Sequence, residues 1–162
     1  MRYHAVRSCC LEHARTSGGL FGQPDNCLRC QALPPVDRAA PDVLAALQTP
    51  LIIDVRDPDE IATGKGGPPV LVVGSTNVPL NVNGQKQSAH ATTPMEFMEK
   101  IDAAGVALSA TRPIIVHCRN PPCGCGGIAA AILRKAGYDA YYGGGPGHIA
   151  KACGVSTADD NA

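Results

Sequence analysis

The sequence predicts an α/β fold built on a parallel sheet. Three observations predict it: short apolar runs of strand length at 51–55 (LIIDV), 70–73 (VLVV) and 113–117 (PIIVH), helical segments between them, and Gly or Pro at the changeovers. A strand covered on both faces reads as unbroken apolar sequence rather than alternation, and strands separated by helices make βαβ units.

Residues 1–35 show neither helical nor strand period and end in Pro34-Pro35, so they read as a Cys-rich appendage ahead of a folded domain at 36–162. The first helix is 41–48 (PDVLAALQ), stopped by Thr49-Pro50, and the first buried strand is 51–55. A brief acidic helix at 57–62 precedes a loop holding Gly64, Gly66, Gly67, Pro68 and Pro69, and 70–73 is the second buried strand. After a polar loop at 81–92, Thr93-Pro-Met-Glu96 supplies a capping box with proline in the first turn, and the helix it opens stops at Gly105. The strand at 113–117 is followed by a Cys/Pro/Gly loop, then by a helix at 127–136 with Gly137 beyond its end. A last strand at 138–142 and a last helix at 147–153 complete the order.

The 162 residues carry 14 basic and 14 acidic side chains, so no general attraction to nucleic acid or to an anionic membrane is expected. The longest apolar runs fall far short of the ~20 residues that span a bilayer. The sequence carries no sign of an oligomeric state. Its eight cysteines fall into two clusters, Cys9, Cys10, Cys27 and Cys30, then Cys118, Cys123 and Cys125, with Cys153 apart. Clustering without an apolar secretory stretch points to a reducing compartment, with the cytoplasm expected. An organellar transit peptide is the alternative, because Arg2, Arg7 and Arg15 outnumber Glu12. In the first cluster Cys10-Leu-Glu-His13 and Cys27-Leu-Arg-Cys30 have the spacing of two chelating pairs, so Cys10, His13, Cys27 and Cys30 are candidate ligands for a structural zinc. An unstructured tail with incidental thiols is the competing reading.

The segment that can carry chemistry follows 113–117. A cysteine at the carboxyl end of a buried strand, followed by a Gly-rich loop that opens a helix, lies where α/β sheets place ligands. Loop amides and the helix dipole favour anions there, so Cys118 is expected to be an ionised nucleophile at neutral pH. His117 precedes it on the strand and points to the opposite side, as a core histidine rather than a general base. His148 reads as a cap or a surface residue.

Four segments, LIIDVRDPDEIATG at 51–64, GSTNVPLN at 74–81, PIIVHC at 113–118 and AGYDAYYGGGPGHIAKACG at 136–154, resemble the rhodanese-like (thiosulfate sulfurtransferase) domain family. The resemblance implies a three-layer sandwich around a mostly parallel five-stranded sheet. It implies that Cys118 carries a persulfide, and that Arg119, Asn120, Cys123, Gly124, Cys125 and Gly126 belong to the active-site loop. It also implies a structural role for Asp54 and Arg56, no cofactor for catalysis, a small anionic sulfur donor and a thiol or cyanide acceptor. The loop departs from the family pattern. It is about two residues longer than in a common single-domain relative, and Pro121 and Pro122 remove two amide donors. Rhodanese-related phosphatases and arsenate reductases also lengthen this loop but end it in arginine, whereas Arg119 is its only cation here. Sulfur transfer is therefore expected ahead of a thiol-dependent arsenate reductase or phosphatase, with a non-catalytic binding module as the third reading. Cys123, five residues on, is placed to resolve a Cys118 persulfide or sulfenate as a disulfide, or else merely fills the loop. Metal binding by Cys118, Cys123 and Cys125 is a further use of the same thiols, one that would block catalysis.

Overall fold

A computed structural model describes residues 33–63, 71–81, 93–119 and 123–157. Its elements are α1 (Pro41–Ala46), β1 (Leu51–Asp54), α2 (Pro58–Thr63), β2 (Ser75–Asn77), α3 (Pro94–Ala103), β3 (Ile114–His117), α4 (Gly124–Lys135), β4 (Ala140–Tyr142) and α5 (Pro146–Cys153). The strands form one sheet of order β2-β1-β3-β4, with every pair parallel.

The apolar runs behave as a doubly covered sheet requires. In β1, Ile53 faces a core with Phe97 and Ile101 of α3 and Ile132 and Leu133 of α4, while Ile52 faces Leu44 of α1 and Ile149 of α5. In β3, Ile114 and Val116 join the first core and Ile115 the second. Successive side chains point to opposite faces, and each fully buried aliphatic contributes about 1.5–3 kcal/mol. Helices on both faces give the expected three layers. Thr93 caps α3 as its sequence predicts: its Oγ1 accepts from the Glu96 amide at 3.2 Å, and the Glu96 carboxylate accepts from the Thr93 amide at 2.7 Å.

Three expectations are corrected. Among the described residues the sheet has four strands rather than five. Residues 36–39 lie beside β4 but make only a single parallel bridge, Arg38 to Tyr142, together with the Ala39 amide bond to the Tyr142 carbonyl at 2.8 Å. Pro34, Pro35 and Pro41 bracket that segment with fixed φ and no N–H, so the ladder cannot lengthen. The strand expected at 70–73 is displaced to Ser75–Asn77. In the stretch before it Val72 is buried and makes one antiparallel bridge to Thr157, while Leu71 and Val73 face solvent. Gly74, at φ +82°, turns the chain into β2. Finally, α4 begins three residues before position 127, so Gly124, Cys125 and Gly126 belong to the helix and not to a loop. Close packing selects glycine at 126 and 127. A Cβ at Gly127 would stand 2.6 Å from the Val36 carbonyl oxygen, and one at Gly126 would enter the Tyr142 ring.

Candidate active site

Cys118 follows β3 directly, and its amide donates to the Gly144 carbonyl at 3.0 Å, which ties the strand end to the loop after β4. Only 1% of the residue is exposed. Cys123 is the N-cap of α4 and half-buried, and Cys125 lies buried in the first turn. The Sγ atoms of Cys118, Cys123 and Cys125 all lie within 4.8 Å of one another. The five-residue spacing and the two-residue spacing thus converge because a strand end and a helix start meet at one point.

The three thiols share protons, and their titrations are not independent. Hydrogen bonds given by Cys118 and Cys125 hold the Cys123 thiol well below the ordinary cysteine range, helped by the Cys125 amide and the Arg119 charge. The same bond to Cys123 pushes Cys118 up, with Cys125 and burial acting in the same direction. For Cys125 the Cys118 bond lowers the pKa, but Cys123 and burial outweigh it and the thiol rises. A shared negative charge is thus favoured on Cys123, the least buried of the three residues and the one at the helix N-terminus. The ionisation expected of Cys118 is opposed by its bonds to Cys123 and Cys125 and by its burial, all of which raise its thiol.

Neighbours hold the cluster. Asn81 Nδ2 donates to Cys125 Sγ at 3.5 Å, and the Tyr142 hydroxyl donates to the Cys123 carbonyl at 3.0 Å. Asn81 also lines a cleft of about 410 Å³ shared with Pro58, Asn77 and Lys100. Arg119 Nη1 pairs with Glu60 Oε1 of α2 at 3.3 Å. Asn120, like Pro121 and Pro122, lies outside the described residues, as do the candidate zinc ligands Cys10, His13, Cys27 and Cys30.

Behind the sulfurs, at the end of β1, Asp54 and Arg56 form a buried bidentate pair. Arg56 Nε donates to both carboxylate oxygens at 3.0 Å and its terminal Nη2 to Oδ2 at 2.7 Å, while the Arg56 amide adds a 3.0 Å bond to Oδ1. Asn77 Nδ2 donates to the carbonyls of Asp54 and Arg56 at 3.0 and 2.9 Å, which fastens β2 to this corner. His117 is fully buried, with Nδ1 3.4 Å from the Cys118 carbonyl oxygen and 3.8 Å from Asp54 Oδ1. Burial lowers its pKa despite the nearby Asp54, so it is neutral at pH 7. His148 Nδ1 accepts from the Gly145 amide at 3.4 Å and caps α5.

Sequence reasoning assigned no role to Asn81, Tyr142 or Glu60. Tyr142 is opposite Val116 in the β3–β4 register, so its place near residue 118 follows only once the strand order is known. Asn81 ends the 74–81 segment, but its reach to Cys125 spans 44 positions and has no local signal.

A model of the rhodanese-like domain matches residues 39–145. No individual curated protein matches the chain. Among solved structures the chain is similar to "reduced Bacillus anthracis CoADR-RHD", at 20% identity and a TM-score of 0.43, over 72% of this chain and 17% of that one. The chain thus spans a small part of that protein's length. No described helix is long and apolar enough to cross a membrane.

Proposed function

Because the chain belongs to the rhodanese-like domain family, whose members are broadly of the sulfurtransferase type, we propose that it transfers sulfane sulfur from thiosulfate or a persulfide to a thiol or cyanide through a persulfide on Cys118. The observation that carries this reading is the convergence of the Cys118, Cys123 and Cys125 sulfurs within 4.8 Å at the junction of β3 and α4. A buried thiol needs a proton acceptor in contact before it can attack, and the neighbouring thiolate is one. Cys118 passes its proton to Cys123 and attacks the outer sulfur of the donor. The donor S–S bond breaks, its electron pair leaves with sulfite or with the donor thiol, and the terminal sulfur stays on Cys118. An acceptor thiolate then attacks that terminal sulfur, Cys118 leaves as thiolate and recovers the proton. When no acceptor arrives, Cys123 gives its proton to the terminal sulfur and, as thiolate, attacks the inner one, which releases hydrosulfide and leaves a Cys118–Cys123 disulfide for a thiol to reduce.

The sulfur donor, the acceptor and the cytoplasmic setting belong to this proposal. The test is intact and peptide mass spectrometry after treatment with thiosulfate or a small persulfide. A mass gain of one sulfur on the Cys118 peptide, lost in Cys118→Ser and slowed by about 10²–10⁴-fold in Cys123→Ser, is the expected result. Absence of cyanolysable sulfur with both donor classes overturns the reading.

A further inference from the structure

Among the described residues, Cys118, Cys123 and Cys125 form the one group of three His, Cys, Asp or Glu side chains whose donor atoms converge. Its composition is informative, because no carboxylate or imidazole joins it. An all-sulfur set discriminates against magnesium, calcium and manganese and selects soft, thiophilic ions. The geometry is close to what such an ion needs. With metal–sulfur bonds of about 2.3 Å, three sulfurs around one ion stand about 3.8–4.0 Å apart. The three sulfurs here are already within 4.8 Å, so a contraction of at most about one ångström completes the set.

The anchors suit a metal site. Cys118 is fixed by the end of β3 and its bond to Gly144, and Cys125 by the first turn of α4. Asn81 Nδ2 bonds to the Cys125 sulfur, and Tyr142 holds the Cys123 carbonyl, which supplies the outer shell that orients ligands. Charge decides the valence. Three thiolates around a divalent ion carry one net negative charge, whereas around a monovalent ion they carry two, and a cluster with two of its three residues buried favours the smaller.

We propose that Cys118, Cys123 and Cys125 bind a divalent d¹⁰ cation of the zinc and cadmium class through three thiolates, with the fourth position open to solvent or an exogenous thiol. Binding displaces the remaining thiol protons and involves no change of oxidation state. Where Cys118 also carries sulfur, as in the function proposed above, metal and persulfide compete for it.

The test is anaerobic cadmium titration of the full-length chain with Cys9, Cys10, Cys27, Cys30 and Cys153 replaced by Ser. The expected result is an ultraviolet thiolate-to-cadmium charge-transfer band that saturates at one equivalent. Adding Cys118→Ser, Cys123→Ser or Cys125→Ser should weaken binding by at least about 100-fold, and Asn81→Ala by about tenfold. No band in the folded protein, or an undiminished band when Cys118 and Cys123 are both Ser, overturns the site. In the unsubstituted chain, Cys123→Ser should lower the cadmium stoichiometry by one equivalent, and an unchanged stoichiometry overturns it equally. Sulfur transfer is not part of the readout, so failure of that function leaves this test intact.

Discussion

The Tyr142 ring fills the space that a side chain at Gly126 would need, while its hydroxyl holds the carbonyl of Cys123 at 3.0 Å. One aromatic residue at the end of β4 therefore fixes both the cap and the first turn of α4, the two positions that bring Cys123 and Cys125 beside Cys118. Gly126→Ala is expected to destabilise the fold by about 1–3 kcal/mol through overpacking. It should also slow sulfur loading of Cys118, because the helix start must shift. Gly126→Ala combined with Tyr142→Leu should recover stability in urea denaturation but not the loading rate. Full recovery of both would show that Tyr142 does not position the cluster.

Cys118 and Cys123 differ in access as well as charge. Cys118 is 1% exposed, whereas Cys123 is half-buried and its thiol is lowered by bonds from Cys118 and Cys125. Iodoacetamide at neutral pH is expected to label Cys123 at least about tenfold faster than Cys118. Site-resolved peptide mapping over time checks the ratio. Equal rates would mean that the charge is not held on Cys123.

Much of the frame is legible in the sequence alone. Ile52, Ile53 and Ile114–Val116 are apolar without interruption because both faces of β1 and β3 are covered, and that pattern needs no partner to be read. Thr93 and Glu96 cap α3 through contacts three positions apart, which sequence displays directly. What escaped is set by distant neighbours. Gly124, Cys125 and Gly126 look like a loop because glycine usually marks one, but Tyr142 against Gly126 and Val36 against Gly127 select glycine in the first turns of a helix. Val72 looks like a strand and is a single buried plug, while the real edge strand is the polar Ser75–Asn77, whose half-buried side chains need no apolar run. The strand-end position of Cys118 was readable. The bonds that raise its thiol were not, since they come from sulfurs five and seven positions on that only the fold brings beside it.

Asp54 and Arg56 are both buried, so neither charge tolerates loss of the other. Arg56→Met is expected to destabilise the protein by about 3–5 kcal/mol, since it strands a carboxylate without its guanidinium. The double variant Asp54→Asn with Arg56→Met should recover a large part of that loss. Chemical denaturation of the two single variants and the double closes the cycle, and additive losses would rule out a coupled pair.

Two groups give stability a pH dependence in separate windows. His117 is buried neutral, with its pKa lowered from 6.5 mainly by desolvation. Below pH 6.5 the unfolded chain takes up this proton and the folded one resists it, so the contribution is complete above that value and is lost as pH falls through it. Glu96 is lowered from 4.5 by its bonds to Thr93, so its contribution is complete above that value and declines only at more acidic pH. His117→Gln is therefore expected to flatten the stability profile just below about pH 6.5. Glu96→Gln should flatten only the part below about pH 4.5, while Thr93→Ala lowers the whole curve by about 1 kcal/mol through loss of the cap. Urea midpoints measured across the range check all three. An unchanged slope just below pH 6.5 in His117→Gln would show that the imidazole is not buried in its neutral form.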